Sequence, residues 1–223
     1  LADVVVLGAP HGTPYRPGEP GHAAEAPAAL RRALAGYPAD PAAFDFDHEA
    51  PLLGGATVVD TGDVAGDLRD GAANRAAIRL VVAEILAAGA VPLVLGGDDS
   101  VPIPVLEAYT ETPLTVVQID AHIDWRDEVA GERFGYSSTM RRASELAQVE
   151  AIVQVGARGP GSARTADVDA ARAWGADIVT AREVHRGGVA AVLDRIPRGR
   201  ALYLAVDVDG LDPALVPGVL LPA

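Results

Sequence analysis

Short runs of β-branched and aliphatic residues recur along the chain, separated by stretches in which apolar residues repeat at helical spacing, and this alternation constrains the fold more than any other feature. Asp3 to Gly8, Ala56 to Asp60, Val91 to Leu95, a run that starts at about Thr115, Ala151 to Gly156, Asp177 to Thr180 and Ala201 to Val206 read as strands. Ala23 to Tyr37, Asn74 to Ala88, a stretch capped by Ser100, one from Ser137 or Ser138 through Leu146, Ala166 to Trp174 and Val189 to Ile196 read as helices. Strands alternating with helices predict an α/β fold with a mainly parallel sheet covered on both faces. A chain of 223 residues, 49% hydrophobic and 22% charged, buries enough surface for one domain over 1–223. Pro10 to Gly21, rich in glycine and proline, is expected to be a long binding loop, with His11 a candidate pocket residue.

Three of the apolar runs end in carboxylates. Gly96-Gly97-Asp98-Asp99-Ser100 closes the first, Asp120-Ala121-His122-Ile123-Asp124 the second, and Asp207-Val208-Asp209 the third. In an open parallel sheet, ligands bind beyond the carboxyl ends of the strands. Neighbouring strands lie about 4.8 Å apart, so these groups can converge on one small volume. If the extended conformation persists, alternate spacing puts Asp120, His122 and Asp124 on one side. So many carboxylates stay ionised together only beside cations, and oxygen-rich ligation with one imidazole suits manganese or magnesium.

A single aspartate after a strand is ordinarily a helix cap or turn residue. That applies to Asp212, which precedes Pro213, and to one of the adjacent pair Asp98 and Asp99. It does not account for three clusters at the same sheet edge. Asp207-Val208-Asp209-Gly210 imitates the nucleophile strand of haloacid-dehalogenase-type phosphatases, but such a strand normally opens the fold, and that reading leaves Asp120 to Asp124 unused. A calcium loop needs an oxygen ligand at position 211, which is Leu.

The remaining composition narrows the partners. Asp and Glu outnumber Lys and Arg by 31 to 18, a formal net charge of -13, which argues against nucleic acid or an anionic membrane surface. The absence of cysteine removes disulfides, thiolate metal sites and cysteine nucleophiles. No run approaches the roughly 20 apolar residues that span a bilayer, and the start lacks a basic leader, so a cytoplasmic location is expected. A start at Leu1 rather than Met and a stop soon after Asp212-Pro213 carry the expectation that both ends are incomplete, with a C-terminal part missing.

Taken together, the three motifs resemble those of the ureohydrolase family, the arginases and agmatinases, on its agmatinase side. The family's marks are Gly-Gly-Asp-His-Ser, Asp-Ala-His-x-Asp and Asp-x-Asp-x-x-Asp-Pro, and the stretch from Leu7 to Tyr15 is similar to agmatinase openings. The resemblance implies a three-layer α/β/α sandwich, a homo-oligomer, and a site for two manganese ions that activate water against the guanidinium carbon of a small cationic substrate. Asp99, Asp120, His122, Asp124, Asp207 and Asp209 stand at its metal-ligand positions, Asp124 and His122 as catalytic residues, His11 and Ser138 as substrate-binding ones. Two positions depart from the pattern. Asp99 replaces a histidine ligand and is expected to weaken one metal site, and Ser138 replaces a histidine credited with proton transfer. These departures carry a second expectation, a metal-binding paralogue with little or no turnover.

Overall fold

In the computed structural model, which describes residues 2–219 apart from 20, 38, 39 and 41, the chain forms two compact units, Leu1–Ala108 and Tyr109–Ala223. The first contains β1 (Val4–Ala9), α1 (Ala26–Leu34), the two-residue strands β2 (Phe44–Asp45) and β3 (Ala50–Pro51), β4 (Val58–Asp63), α2 (Gly71–Ala87), β5 (Val91–Gly96) and α3 (Pro102–Glu107). Its sheet runs β4-β1-β5 with parallel pairing throughout. The helix expected over Ala23 to Tyr37 is shorter. Pro27 lies in its first turn, where a missing N–H costs nothing.

Asp70 caps α2 by accepting the Ala73 N–H at 2.8 Å, and the helix buries Asn74, Ile78, Val82 and Ile85 along one stripe. Asn74 is a polar member of that stripe with its groups satisfied. Its amide donates to Gly12 O and Asp67 O, and its carbonyl oxygen accepts the Asp67 N–H. Ser100 does not cap a helix. Its hydroxyl donates to Asp98 and accepts the Thr13 N–H at 2.7 Å, so it ties the turn after β5 to the loop after β1, and α3 begins at Pro102 without a side-chain cap.

The second unit contains β6 (Leu114–Ile119), a 3-10 turn at Tyr136–Ser138, α4 (Thr139–Ala143), β7 (Val149–Ala157), α5 (Thr165–Trp174), β8 (Asp177–Thr180), α6 (Ala181–Gly187), α7 (Ala190–Leu193), β9 (Ala201–Val206) and a 3-10 turn at Val208–Gly210. Its sheet runs β8-β7-β6-β9, again parallel, and Val117, Val153, Val155 and Val179 form an apolar cluster on it. The helix read at Val189 to Ile196 is only α7, and α6 precedes it unforeseen. Its signal is a capping box, with Thr180 Oγ1 accepting the Glu183 N–H and Glu183 Oε2 accepting the Thr180 N–H at 2.8 Å. Both units are thus α/β with parallel sheets. Among the described residues no helix is long and apolar enough to cross a membrane.

Candidate metal centre

Strand β6 ends at Ile119, so Asp120, His122 and Asp124 do not share a face by strand alternation. The chain folds back instead, and Asp124 sits in the left-handed region at φ 43. That conformation is uncommon for a residue with a side chain. It is held because the Asp124 carbonyl accepts the N–H groups of both Met140 and Arg141 at 3.1 Å, which ties it to the first turn of α4. The following residues are anchored as well. Trp125 is buried against Trp174, and Arg126 pairs with the buried Asp167 at 3.1 Å.

The same correction applies after β9. Asp207 is the cap of the 3-10 turn and accepts the Asp209 N–H at 3.0 Å. The turn carries Asp209 toward the end of β6, where its Oδ1 accepts the Ala121 N–H at 3.1 Å. Arg158, just past β7, holds the turn in place by donating to the carbonyls of Asp209, Gly210 at 3.1 Å and Leu211 at 2.7 Å.

Two glycines let these segments meet at Asp120. Gly156, at φ 109, lies where the β7 and β8 register slips, and a Cβ there would stand 2.8 Å from the Asp120 carbonyl oxygen. A Cβ on Gly210 would stand 2.8 Å from the Asp120 nitrogen. The backbone of Asp120 is therefore enclosed on both sides, and the residue is 1% exposed.

The result is a compact donor set. His122 Nδ1 lies 3.0 Å from Asp209 Oδ2 and 3.3 Å from Asp120 Oδ1, and one ligand atom from each of Asp120, His122 and Asp209 falls within 4.8 Å of the others. Gln118 Nε2 donates to Asp120 at 2.6 Å and to Asp124 at 2.7 Å, which brings the Asp124 carboxylate beside that of Asp120. The electrostatics call for a cation. Hydrogen bonds from the imidazole to Asp120 and Asp209 raise the His122 pKa to about 10, so a proton on the ring offsets part of the carboxylate charge in the metal-free form. Burial raises the Asp207 carboxyl to about 6, with Asp120 and Asp209 adding to the shift. Burial also pushes Asp209 upward, but hydrogen bonds from His122 and the Ala121 N–H outweigh it and hold the carboxyl below its usual value. One imidazole among carboxylate oxygens suits a divalent ion such as Mn2+.

A pH dependence follows. The raised folded-state pKa of His122 means that its imidazolium contributes stability fully present below the ordinary 6.5 and lost as pH rises through about 10. NMR titration of the metal-stripped chain is expected to place the His122 ring well above neutrality. A midpoint near the ordinary value would show that the two carboxylates do not grip it.

His11 lines a small concavity of the first unit with Pro14, Glu19 and Asp98. Asp98 accepts the Ser100 N–H at 3.0 Å and its hydroxyl, and so is the structural member of its pair, while Asp99 is half-buried in the same turn. Ser138 is fully buried, with no hydrogen-bond partner for its hydroxyl among the described residues. Asp212 accepts the Ala214 N–H at 2.8 Å, as expected of a turn residue. Sequence reasoning missed Gln118, Gln154, Gly156, Arg158 and Gly210. The signal for the first two was a glutamine inside an otherwise apolar strand.

Comparison with known proteins identifies the family. The model of the arginase family matches residues 2–223. Proclavaminate amidinohydrolase of Streptomyces clavuligerus is 34% identical over 99% of this chain and 71% of its own length. Its solved structure superposes with a TM-score of 0.84 at 31% identity, covering all of this chain and 73% of that one. Guanidinobutyrase of Pseudomonas aeruginosa is 34% identical over 75% of this chain and 56% of its own length. The agmatine ureohydrolase of Thermoplasma volcanium gives a TM-score of 0.81 at 25% identity, over all of this chain and 72% of that structure. The matches thus cover 71% and 56% of these two curated relatives' own lengths. With the arginase-family model matched over residues 2–223 and the α/β fold shared with these solved structures, the chain belongs to the arginase family.

Proposed function

We propose that this chain carries the metal centre of an amidinohydrolase that cleaves a small guanidino compound, agmatine-like, to urea and an amine. The observation that carries the reading is the convergence of Asp120, His122 and Asp209 within ligand distance of one another, with Asp124 joined to Asp120 through Gln118. Asp120, His122, Asp124, Asp207 and Asp209 would hold two Mn2+ ions. Asp99 joins them on the strength of its motif position alone. The chemistry such a pair supplies when bound is a water nucleophile ionised near neutral pH.

The chain's own residues do the rest. The carboxylates offset the charge of the cations, and the net charge of -13 raises the local concentration of a cationic substrate. Water oxygen adds to the guanidinium carbon, the bond from that carbon to the substituted nitrogen breaks, and a proton reaches the departing amine. Asp124 is the group assigned to carry that proton. His122 is the imidazole at the centre, and its grip by Asp120 and Asp209 orients the ring. His11 and Ser138 are kept as substrate-side residues. Relatives named guanidinobutyrase and proclavaminate amidinohydrolase support the substrate class.

The test is to strip the chain of metal, titrate Mn2+, and assay urea release from agmatine, guanidinobutyrate, arginine and free guanidine. Two ions per chain with urea from at least one compound is the expected result. Bound metal without urea from any would favour the metal-binding paralogue, for which Ser138 in place of a histidine is the specific ground. No bound metal would sink both.

A further inference from the structure

The donor set is flanked by an amide pair that the hydrolytic chemistry does not use. Gln118 and Gln154 lie opposite each other in register on β6 and β7, and are 0% and 1% exposed. Buried primary amides are mostly hydrogen-bonded, and of the polar side-chain atoms of this pair only Gln154 Oε1 has no partner among the described residues. Gln154 Nε2 donates to Gln118 Oε1 at 2.6 Å and to the Ile123 carbonyl at 2.7 Å. Gln118 Nε2 in turn gives one hydrogen to Asp120 Oδ2 at 2.6 Å and the other to Asp124 Oδ2 at 2.7 Å. We infer that Gln118 is a positioning residue, spanning two metal-ligand carboxylates with one amide, and that Gln154 fixes which way that amide faces.

Polarity leaves one orientation. Turning the Gln118 amide over would aim its carbonyl oxygen at two carboxylates and its NH2 at the NH2 of Gln154, replacing three attractive contacts with three repulsive ones. The bridge also bears on the left-handed Asp124. Its backbone is fixed from the α4 side by Met140 and Arg141, and its carboxylate is fixed from the β6 side by Gln118. Such groups oriented behind a ligand are typically worth about 10–100-fold in metal affinity.

The inference rests on the metal-centre reading above, and the experiment separates the two. Mn2+ dissociation constants and stoichiometry are measured on the metal-stripped full chain for wild type, Gln118→Met and Gln154→Met, alongside circular dichroism. Methionine keeps the length and volume of glutamine and removes the amide. The expected result is Mn2+ binding weakened about 10–100-fold in Gln118→Met. A smaller loss in the same direction is expected in Gln154→Met, which touches neither carboxylate. Constants within about twofold of wild type in the variants that fold would overturn the inference, as would loss of fold in both, since the amides would then serve the core. If wild type binds Mn2+ but releases no urea, the hydrolase reading falls while the ratio of constants still decides the role of Gln118. If wild type binds none, both fall.

Discussion

Asp120→Ala is expected to remove metal binding and to lower urea release at least about a thousandfold, the scale of several kcal/mol of lost transition-state stabilisation. No other donor is so completely enclosed. Its two carboxylate oxygens are engaged by the Gln118 amide at 2.6 Å, the His122 N–H at 2.6 Å and the His122 ring at 3.3 Å. Alanine takes away a ligand atom and leaves those donors facing an apolar methyl, at about 1–3 kcal/mol for each buried group that stays unpaired. Asp120→Asn separates the effects, because it keeps the shape but sets an NH2 against donors. Metal content and steady-state rates check this. An alanine variant with wild-type metal stoichiometry and rate would remove Asp120 from the centre.

The second large effect is on stability. Gly156→Val is expected to lower the free energy of unfolding by about 2–5 kcal/mol, from a left-handed backbone that a β-branched residue resists and from overpacking against a neighbour that cannot yield. The neighbour is backbone: the Asp120 carbonyl oxygen lies 2.8 Å from the added Cβ. Domains of this size are stable by only about 5–15 kcal/mol, so the loss is a large share of the total. Gly161→Val supplies the comparison, since Gly161 has φ 86 but nothing within 4 Å of an added Cβ, and shows the backbone part alone. Urea unfolding curves measure both. Equal losses in the two variants would mean that the contact at Asp120 costs nothing.

Much of the fold was legible because it depends on patterns local in the chain. Val91 to Leu95 and Ala201 to Val206 are short β-branched and aliphatic runs, and they became β5 and β9, although the expected cover on both faces is not seen there, since Val91, Leu93, Leu202, Leu204 and Val206 are exposed. The carboxylates at their ends were legible for the same reason. What was not legible depends on partners distant in sequence. Ser100 has the chemistry of a helix cap, yet Thr13, far back in the chain, claims its hydroxyl. The alternate spacing of Asp120, His122 and Asp124 suggested a strand face, but the strand stops first and Asp124 is turned by the peptide N–H groups of α4.

The sequence by itself determined the parallel α/β class, the family motifs and the identity of nearly every metal-capable side chain, because strand propensity, helical periodicity and motif spacing are written along the chain. Only the tertiary structure decided how those side chains face one another. Their orientation is set by hydrogen bonds and steric limits across strands, and a strand's own residues do not encode the register that brings Gln118 opposite Gln154, or Gly156 and Gly210 onto the two sides of Asp120.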